Sequence, residues 1–288
     1  MLSENRCEKA KRIFLMAREK ASSLVWGTAP SRIKGLGLEY EDFRDYRFED
    51  DYRFIDWKLS ARMIKPNGEM RLIVKEYRSE KKLHILLVFD YTLSVKFKEK
   101  FLTALYVLTL ICEAARRLDD EITLVVLSDR ISVYPRLDSW RIPYVVLKHI
   151  CRAPPRGSLS LSSVVEVAEK LGRRKPVVVI TDYANRLEDY SKLASLPYSP
   201  TAFYLVYSLG EVKLSSSASI RLIDPELGVS AEDKVSRVYG KIGAHVLAVK
   251  GVLKTRSVFM DLMGLRDAEH RAHEVVFNYC AIRERGLR

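Results

Sequence analysis

The chain has 288 residues, of which 48% are hydrophobic, and its formal net charge is +12. This length and apolar content are enough for one sizeable core, with material left for a smaller second element. The basic residues are scattered in short clusters. This scattered distribution indicates a solvated surface and argues against the continuous basic stripe that nucleic-acid-binding proteins carry.

The cysteines and the termini indicate a cellular compartment. Cys7, Cys112, Cys151 and Cys280 lie far apart, and no C-x-x-C is present, so we expect reduced thiols, with Cys112 buried in a core helix. The N-terminal sequence is charged where a signal peptide would be apolar, and the apolar segment 101–115 is shorter than the ~20 residues that span a bilayer. We therefore expect a cytoplasmic protein. The complete lack of glutamine, with 30% charged residues, indicates a thermophilic source.

The first predicted element is an amphipathic helix over residues 5–22. Ala10, Ile13, Phe14 and Ala17 recur there at the spacing of one helical face. The next segment, 34–80, is dense in charged and aromatic residues and is predicted to hold loops and short strands.

From residue 82 onward, short apolar strands alternate with helices. The predicted strands are 83–89, 121–128, 131–134, 176–182, 202–208 and 219–224, and the predicted helices are 101–118, 138–151, 159–172 and 186–195. This alternation is typical of a mostly parallel α/β sheet covered by helices on both faces, and the tight turn before 131–134 predicts one antiparallel edge strand. Beyond residue 226 we expect helices. The predicted organisation is thus 1–33, 34–80, 81–228 and 229–288.

Polar residues follow two of the predicted strands. Asp90 and Asp182 each end an apolar strand, Thr92 and Ser94 follow Asp90 at every second position, and Ser158 follows a glycine in the loop between them. Ligands of open parallel sheets bind beyond the carboxyl ends of the strands, and Mg²⁺ prefers oxygen ligands. These five residues are therefore candidate metal ligands. The alternative is structural: Ser94 would cap the following helix, and Asp90 would only end a strand. We expect Thr92 to be an exposed loop residue.

The stretch "DYTLS" resembles the D-x-S-x-S motif of von Willebrand factor A-like domains. The resemblance implies a metal-ion-dependent adhesion site, in which Mg²⁺, Mn²⁺ or Ca²⁺ leaves one position open for a carboxylate of a protein partner. Asp182 and Ser158 stand where that fold places its second aspartate and its loop threonine. The chain departs from the motif in having Thr92 at the first hydroxyl position and Ser158 at the loop position, and both keep an oxygen ligand.

The segment 35–63 combines acidic and aromatic residues. Between positions 39 and 56 it holds eight acidic and three basic residues. Its pattern resembles the domain-of-unknown-function family 58, and the resemblance covers roughly 34–228. A departure is Glu49, where the family has glycine. The matching signature residues include Arg44, Tyr46, Asp51, Arg53, Asp56, Trp57, Ser60 and Arg62.

This second resemblance implies an intracellular accessory protein that works with a MoxR-type AAA+ ATPase in assembly, maturation or metal insertion. No catalytic activity is implied. Our hypothesis for the signature is a structural clasp. Its aromatic residues would pack against the sheet while Arg44, Arg53 and Arg62 pair with acidic residues. The alternative is a surface that binds a partner.

Two other functions compete with a metal-dependent interaction module. A phosphoryl-transfer enzyme would use Asp90 as its nucleophile, but such enzymes carry a second aspartate where this chain has Thr92. A nucleic-acid-binding protein would need clustered basic residues, whereas the aromatic segment is acidic and would repel phosphate.

Overall fold

The computed structural model describes residues 2–27, 39–47, 52, 55–63, 68, 70–78, 82–171, 175–196, 199–208, 219–223 and 230–287. The chain divides into two compact units. One comprises residues 25–81, and the other comprises residues 1–24 with 82–288.

Within its described residues, the unit 25–81 contains an antiparallel strand pair, β1 (Glu39–Asp45) and β2 (Ile73–Arg78), and a short helix, α2 (Trp57–Ser60). Ile55 forms an isolated antiparallel bridge to Val74. The predicted short strands in this part of the chain are therefore present.

The larger unit is built on a six-stranded sheet with the strand order β10-β7-β6-β3-β4-β5. Five strands are parallel, and only the edge strand β5 runs antiparallel to its neighbour. The strands of this sheet are β3 (His84–Asp90), β4 (Glu121–Leu127), β5 (Ile131–Asp138), β6 (Val177–Thr181), β7 (Thr201–Tyr207) and β10 (Val258–Met263).

Helices cover both faces of this sheet. In the described part of the chain they are α1 (Leu2–Gly27), α3 (Lys100–Arg117), α4 (Ile142–Arg152), α5 (Ser163–Leu171), α6 (Leu187–Ala194), α7 (Val235–Arg256), α8 (Gly264–His270) and α9 (Ala272–Leu287). On one face, Ile85, Leu87 and Phe89 pack with α1, α3, α4, α8 and α9. On the other face, Leu86 and Val88 pack with α5, α6 and α7. The continuous apolar run of β3 is thus explained, because both of its faces are buried. The predicted fold class, a mostly parallel α/β sheet with helices on both faces, is confirmed.

The C-terminal part differs from the prediction of helices alone. It supplies the edge strand β10 to the main sheet, paired in parallel with β7. The predicted strand at 219–224 is present as β8 (Ser219–Ile223), but it pairs with β9 (Ser230–Lys234) in a separate antiparallel pair and lies outside the main sheet. The main sheet therefore extends past residue 228.

The expectation of reduced thiols is wrong for two of the cysteines. Cys7 on α1 and Cys151 on α4 form a disulfide across a sequence separation of 144 residues. A second contact joins the two helices, because the Arg6 side chain donates a hydrogen bond to the Ile150 carbonyl at 2.7 Å. Cys112 is a buried free thiol, as predicted. No helix in the described part of the chain is both long enough and apolar enough to cross a membrane.

Candidate metal centre

The candidate site lies where the strand order reverses. Along the chain, β3 is followed by β4 on one side and by β6 on the other, so the crevice between the carboxyl ends of β3 and β6 is the switch point of the sheet. Asp90 ends β3, and Asp182 follows directly after β6. The two carboxylates therefore share this crevice.

Asp90 is held rigidly by hydrogen bonds to both of its oxygens. Its Oδ1 accepts from the Thr92 backbone N–H at 3.0 Å and from the Thr92 hydroxyl at 2.6 Å. Its Oδ2 accepts from the Thr181 hydroxyl at 2.6 Å and from the Asn185 amide at 3.5 Å. The side chain is 1% exposed, so this network decides its orientation.

The turn after Asp90 brings two hydroxyls together. The Thr92 and Ser94 oxygens lie 3.2 Å apart. Because Thr92 gives its proton to Asp90, Ser94 donates to Thr92. Thr92 is buried, so the expectation of an exposed loop threonine is wrong. Ser94 caps no helix: it lies inside a 3-10 segment, Leu93–Glu99, and α3 begins only at Lys100.

Asp182 is paired with a lysine. Its Oδ2 lies 2.7 Å from the Nζ of Lys100, and these side chains are 0% and 5% exposed respectively. Its Oδ1 accepts from the Ala184 backbone N–H at 2.9 Å, and its carbonyl accepts from the Tyr190 hydroxyl. Lys100 thus brings a positive charge to the same crevice.

Ser158 is brought near the centre but stays at its surface. The neighbouring Gly157 carbonyl accepts from the Leu93 backbone N–H at 3.0 Å, which holds this loop beside the turn that follows Asp90. Gly157 has a φ of +82°, and a Cβ there would lie 2.3 Å from the Ser128 carbonyl oxygen. This position therefore requires glycine. The Ser158 side chain is exposed.

The pKa of Asp90 reflects its buried surroundings and the second carboxylate beside it. Burial raises the pKa of Asp90 above its ordinary value, and the nearby Asp182 carboxylate raises it further, while the hydrogen bonds from Thr181 and Thr92 act in the opposite direction. A cation bound beside Asp90 would lower this pKa again, because it would stabilise the ionised carboxylate.

The residues present fit a hard divalent cation. They offer two carboxylates and the hydroxyls of Thr92 and Ser94, which are the oxygen ligands that Mg²⁺ prefers. Within the described residues, no three Asp, Glu, His or Cys side chains gather into a metal-binding group. Hydroxyls and waters would therefore have to complete the coordination shell, as is usual for Mg²⁺.

A basic cavity adjoins the centre. It has a volume of about 80 Å³, and Arg130, Arg152 and Arg156 contribute to its lining. The Arg156 backbone N–H donates to the carbonyl of Tyr91, the residue after Asp90, at 3.2 Å. Its side chain pairs with Asp129 at 3.1 Å. The acidic crevice thus has a positively charged neighbour at the same edge of the sheet.

Several signature residues have structural roles inside the unit 25–81. Asp56 caps α2 by accepting from the Leu59 backbone N–H at 3.0 Å. The buried Ser60 hydroxyl accepts from the Ile73 backbone N–H at 2.8 Å, which ties α2 to β2. These two bonds explain why Asp and Ser stand four residues apart in the signature.

The remaining signature residues have more varied surroundings. Trp57 is 59% exposed, so much of its ring faces solvent. Arg44 donates to the Asp45 carbonyl at 3.3 Å, and the Asp45 carboxylate pairs with Arg71. Tyr46 is half-buried and Arg62 is exposed. Asp51 and Arg53 lie outside the described residues. The packing of the aromatic residues against the sheet stays a prediction.

Sequence reasoning missed three residues of the centre: Lys100, Thr181 and Asn185. Thr181 and Asn185 hold Asp90, and the Asn185 oxygen also accepts from the Leu161 backbone N–H at 3.2 Å. Lys100 opens the apolar run of α3, but its partner Asp182 lies 82 residues away, so the local sequence gives no signal for this pair. Hydroxyl and amide residues such as Thr181 and Asn185 are common near strand ends and give no signal either.

Solved structures similar to this chain include the conserved hypothetical protein BatB from Bacteroides thetaiotaomicron, 10% identical with a TM-score of 0.40, over 69% of this chain and 99% of that chain. An aerotolerance-related membrane protein from Bacteroides fragilis is 12% identical with a TM-score of 0.37, over 68% and 98% of the respective chains. A von Willebrand factor type A protein from Catenulispora acidiphila is 9% identical with a TM-score of 0.39, over 72% and 44%. No curated protein matches the chain significantly.

The comparison with family profiles is more specific. A profile matches residues 42–237, which is more than half of the 288 residues and includes most of the signature segment and the whole candidate metal centre. Its family is described as "Protein of unknown function DUF58", and the chain belongs to this family.

Proposed function

We propose that the chain is a non-enzymatic protein-interaction module whose contact point is the crevice between Asp90 and Asp182. A divalent cation, Mg²⁺ in the first instance, would be held there by the Asp90 carboxylate and the Thr92 and Ser94 hydroxyls, with Asp182 and Ser158 completing the set. When bound, the cation would offer an open position to a carboxylate of the partner. The observation that carries this proposal is the joining of Asp90, Thr92 and Ser94 by hydrogen bonds at the switch point.

The residues of the centre have separate tasks in this proposal. Thr181 and Asn185 hold one oxygen of Asp90, so that the side chain keeps its orientation when a partner approaches. Ser94 and Ser158 are the ligand candidates nearest to solvent, so a partner would meet the centre on their side. The basic cavity beside Tyr91 would attract further acidic residues of the same partner.

An aspartyl nucleophile is less well supported by this geometry. Both oxygens of Asp90 accept hydrogen bonds from the protein, one of them from the Thr92 hydroxyl. Enzymes with an aspartyl nucleophile carry a second aspartate, the general acid, at the position of Thr92, and a threonine cannot supply that proton transfer. A role in binding makes better use of a carboxylate that is held in this way.

The resemblance to family 58 supports a MoxR-type AAA+ ATPase as the partner. The test uses the full chain immobilised as bait, a purified MoxR-type ATPase from the same source, and buffers with Mg²⁺ or with EDTA. We expect retention of the ATPase in Mg²⁺, and loss of retention in EDTA or after Asp90→Asn.

The matched control is Asp138→Asn, which removes an exposed carboxylate at the end of β5, paired with Arg141 at 3.5 Å. This variant should retain the ATPase fully. Retention by the Asp90 variant in EDTA would show that the interaction does not use this centre. Mg²⁺ binding without retention of the ATPase would leave the metal site standing and exclude this partner.

A further inference from the structure

Lys100 places a positive charge inside the centre, although it belongs to none of the ligand positions. Its ammonium lies 2.7 Å from Asp182 Oδ2, and the side chain is 5% exposed. Lysine is rarely buried to this degree unless its charge is paired. The pair therefore has to be understood as part of the centre.

Local structure does not explain a lysine at this position. Lys100 is the first residue of α3, where the helix dipole favours negative and disfavours positive charge, and the first turn holds no acidic residue. The two preceding residues, Lys98 and Glu99, have φ angles of +46° and +56°, which L-residues rarely adopt. Both features are unfavourable for the helix by itself, and the contact with Asp182 offsets the unfavourable position of the lysine charge.

We propose that Lys100 is a built-in counter-ion of the centre, which neutralises Asp182 in the absence of metal and which a divalent cation has to displace. This proposal rests on the proposed metal dependence and deepens it. The ammonium and a metal ion cannot both lie against the same carboxylate oxygen, because Mg²⁺ binds oxygen at about 2.0–2.1 Å and the two cations would repel each other. The flexible four-carbon stem of lysine lets the ammonium move away when the metal enters.

Such a counter-ion would give the centre two folded states. With Lys100 on Asp182, the buried carboxylate is paired and the chain is stable without metal. With metal bound, the net positive charge of the crevice rises, and an acidic partner is attracted. Partner binding would then follow the concentration of free divalent cation, because the metal has to compete with an internal charge.

The test is the Mg²⁺ affinity of the full chain and of Lys100→Met, measured by isothermal titration calorimetry. Removing the competing charge should strengthen Mg²⁺ binding at least about tenfold. Mg²⁺ should also raise the melting temperature of the variant more than that of the unmodified chain, because it restores a counter-ion to Asp182. The matched control is Lys96→Met, which removes an exposed lysine of the same 3-10 segment and should change neither quantity.

The other outcomes separate the two proposals. Equal Mg²⁺ affinities of the two proteins would overturn the competition between Lys100 and the metal but leave the proposed metal dependence intact. Binding of Mg²⁺ by the unmodified chain but not by the variant would have the same meaning. Absence of binding by both proteins would overturn both proposals. If Lys100→Met does not fold, Lys100→Gln replaces it, because glutamine removes the charge and keeps a hydrogen-bond donor for Asp182.

Discussion

Two buried aspartate–cation pairs lie at opposite edges of the same sheet. At the carboxyl edge, Asp182 pairs with Lys100 at 2.7 Å. At the amino edge, Asp120 precedes β4 and pairs with Arg283 of α9 at 2.9 Å. Asp120 also accepts from the Tyr279 hydroxyl at 2.7 Å and from the Leu83 backbone N–H at 3.1 Å. Both pairs are nearly inaccessible to solvent.

The surroundings of the two pairs differ. The donors to Asp120 are two buried side chains of α9 and the backbone N–H of Leu83, just before β3, so this cluster joins the last helix to the sheet. The Asp182 pair shares its crevice with a second carboxylate and with two hydroxyls, of which Ser94 reaches solvent. A buried ion pair alone therefore does not identify a functional site. The second carboxylate and the accessible Ser94 hydroxyl make the difference.

The largest effect is expected from breaking the Asp120–Arg283 pair at the amino edge of the sheet. Arg283→Met should lower the free energy of unfolding by about 3–5 kcal/mol, because it leaves Asp120 buried without its counter-ion. Mg²⁺ affinity should not change, since this cluster lies at the other edge of the sheet. Urea denaturation and titration calorimetry measure the two quantities.

The control for this variant is Arg285→Met, an exposed arginine of the same helix, which should be close to neutral. A change in Mg²⁺ affinity after Arg283→Met in the folded chain would contradict a purely structural role for Asp120. The distinction between a structural pair at the amino edge and a functional pair at the carboxyl edge would then no longer hold.

The second effect concerns Thr92, whose hydroxyl both holds Asp90 and is a candidate ligand. Thr92→Val removes a hydrogen bond of 2.6 Å to a carboxylate. We expect a loss of about 1.5–3 kcal/mol in stability, which is typical of hydrogen bonds to charged groups. Mg²⁺ binding should be lost as well.

Thr109→Val is a matched control for this substitution. The Thr109 hydroxyl is buried on α3 and donates to the Leu105 carbonyl at 2.8 Å, so its removal should lower stability without affecting Mg²⁺. If Thr92→Val binds Mg²⁺ as the unmodified chain does, Thr92 is only a positioning residue for Asp90.

Part of this arrangement could be predicted from the sequence, because it follows from local patterns. Asp90 and Asp182 end apolar runs of strand length, and parallel strands bring such ends to one edge. Lys100 could not be predicted, because its partner lies 82 residues away and a lysine before an apolar helix is ordinarily solvated. The Cys7–Cys151 disulfide was missed for the same reason.

The edge strand β10 shows a different limit of sequence reasoning. Its sequence, VFMDLM, is interrupted by an acidic residue and therefore lacks the continuous apolar run of a buried strand. It also lies between two helices along the chain, which favours the prediction of helix there. Asp261 is accommodated because the Nζ of Lys250 on α7 pairs with it at 2.5 Å. An edge strand that is covered on fewer sides tolerates such a residue, and its pattern is correspondingly weak.

The smallest expected effect tests whether the exposed Ser158 belongs to the set of metal ligands. Ser158→Ala should leave the free energy of unfolding within about 0.5 kcal/mol, because the side chain is exposed and no hydrogen bond of its hydroxyl is found within the described part of the chain. If Ser158 supplies a ligand, Mg²⁺ affinity should fall about tenfold. Ser191→Ala on α6 provides a serine control away from the loop. An unchanged affinity would confine the ligands to Asp90, Thr92, Ser94 and Asp182, which are the residues that the two strand ends themselves supply.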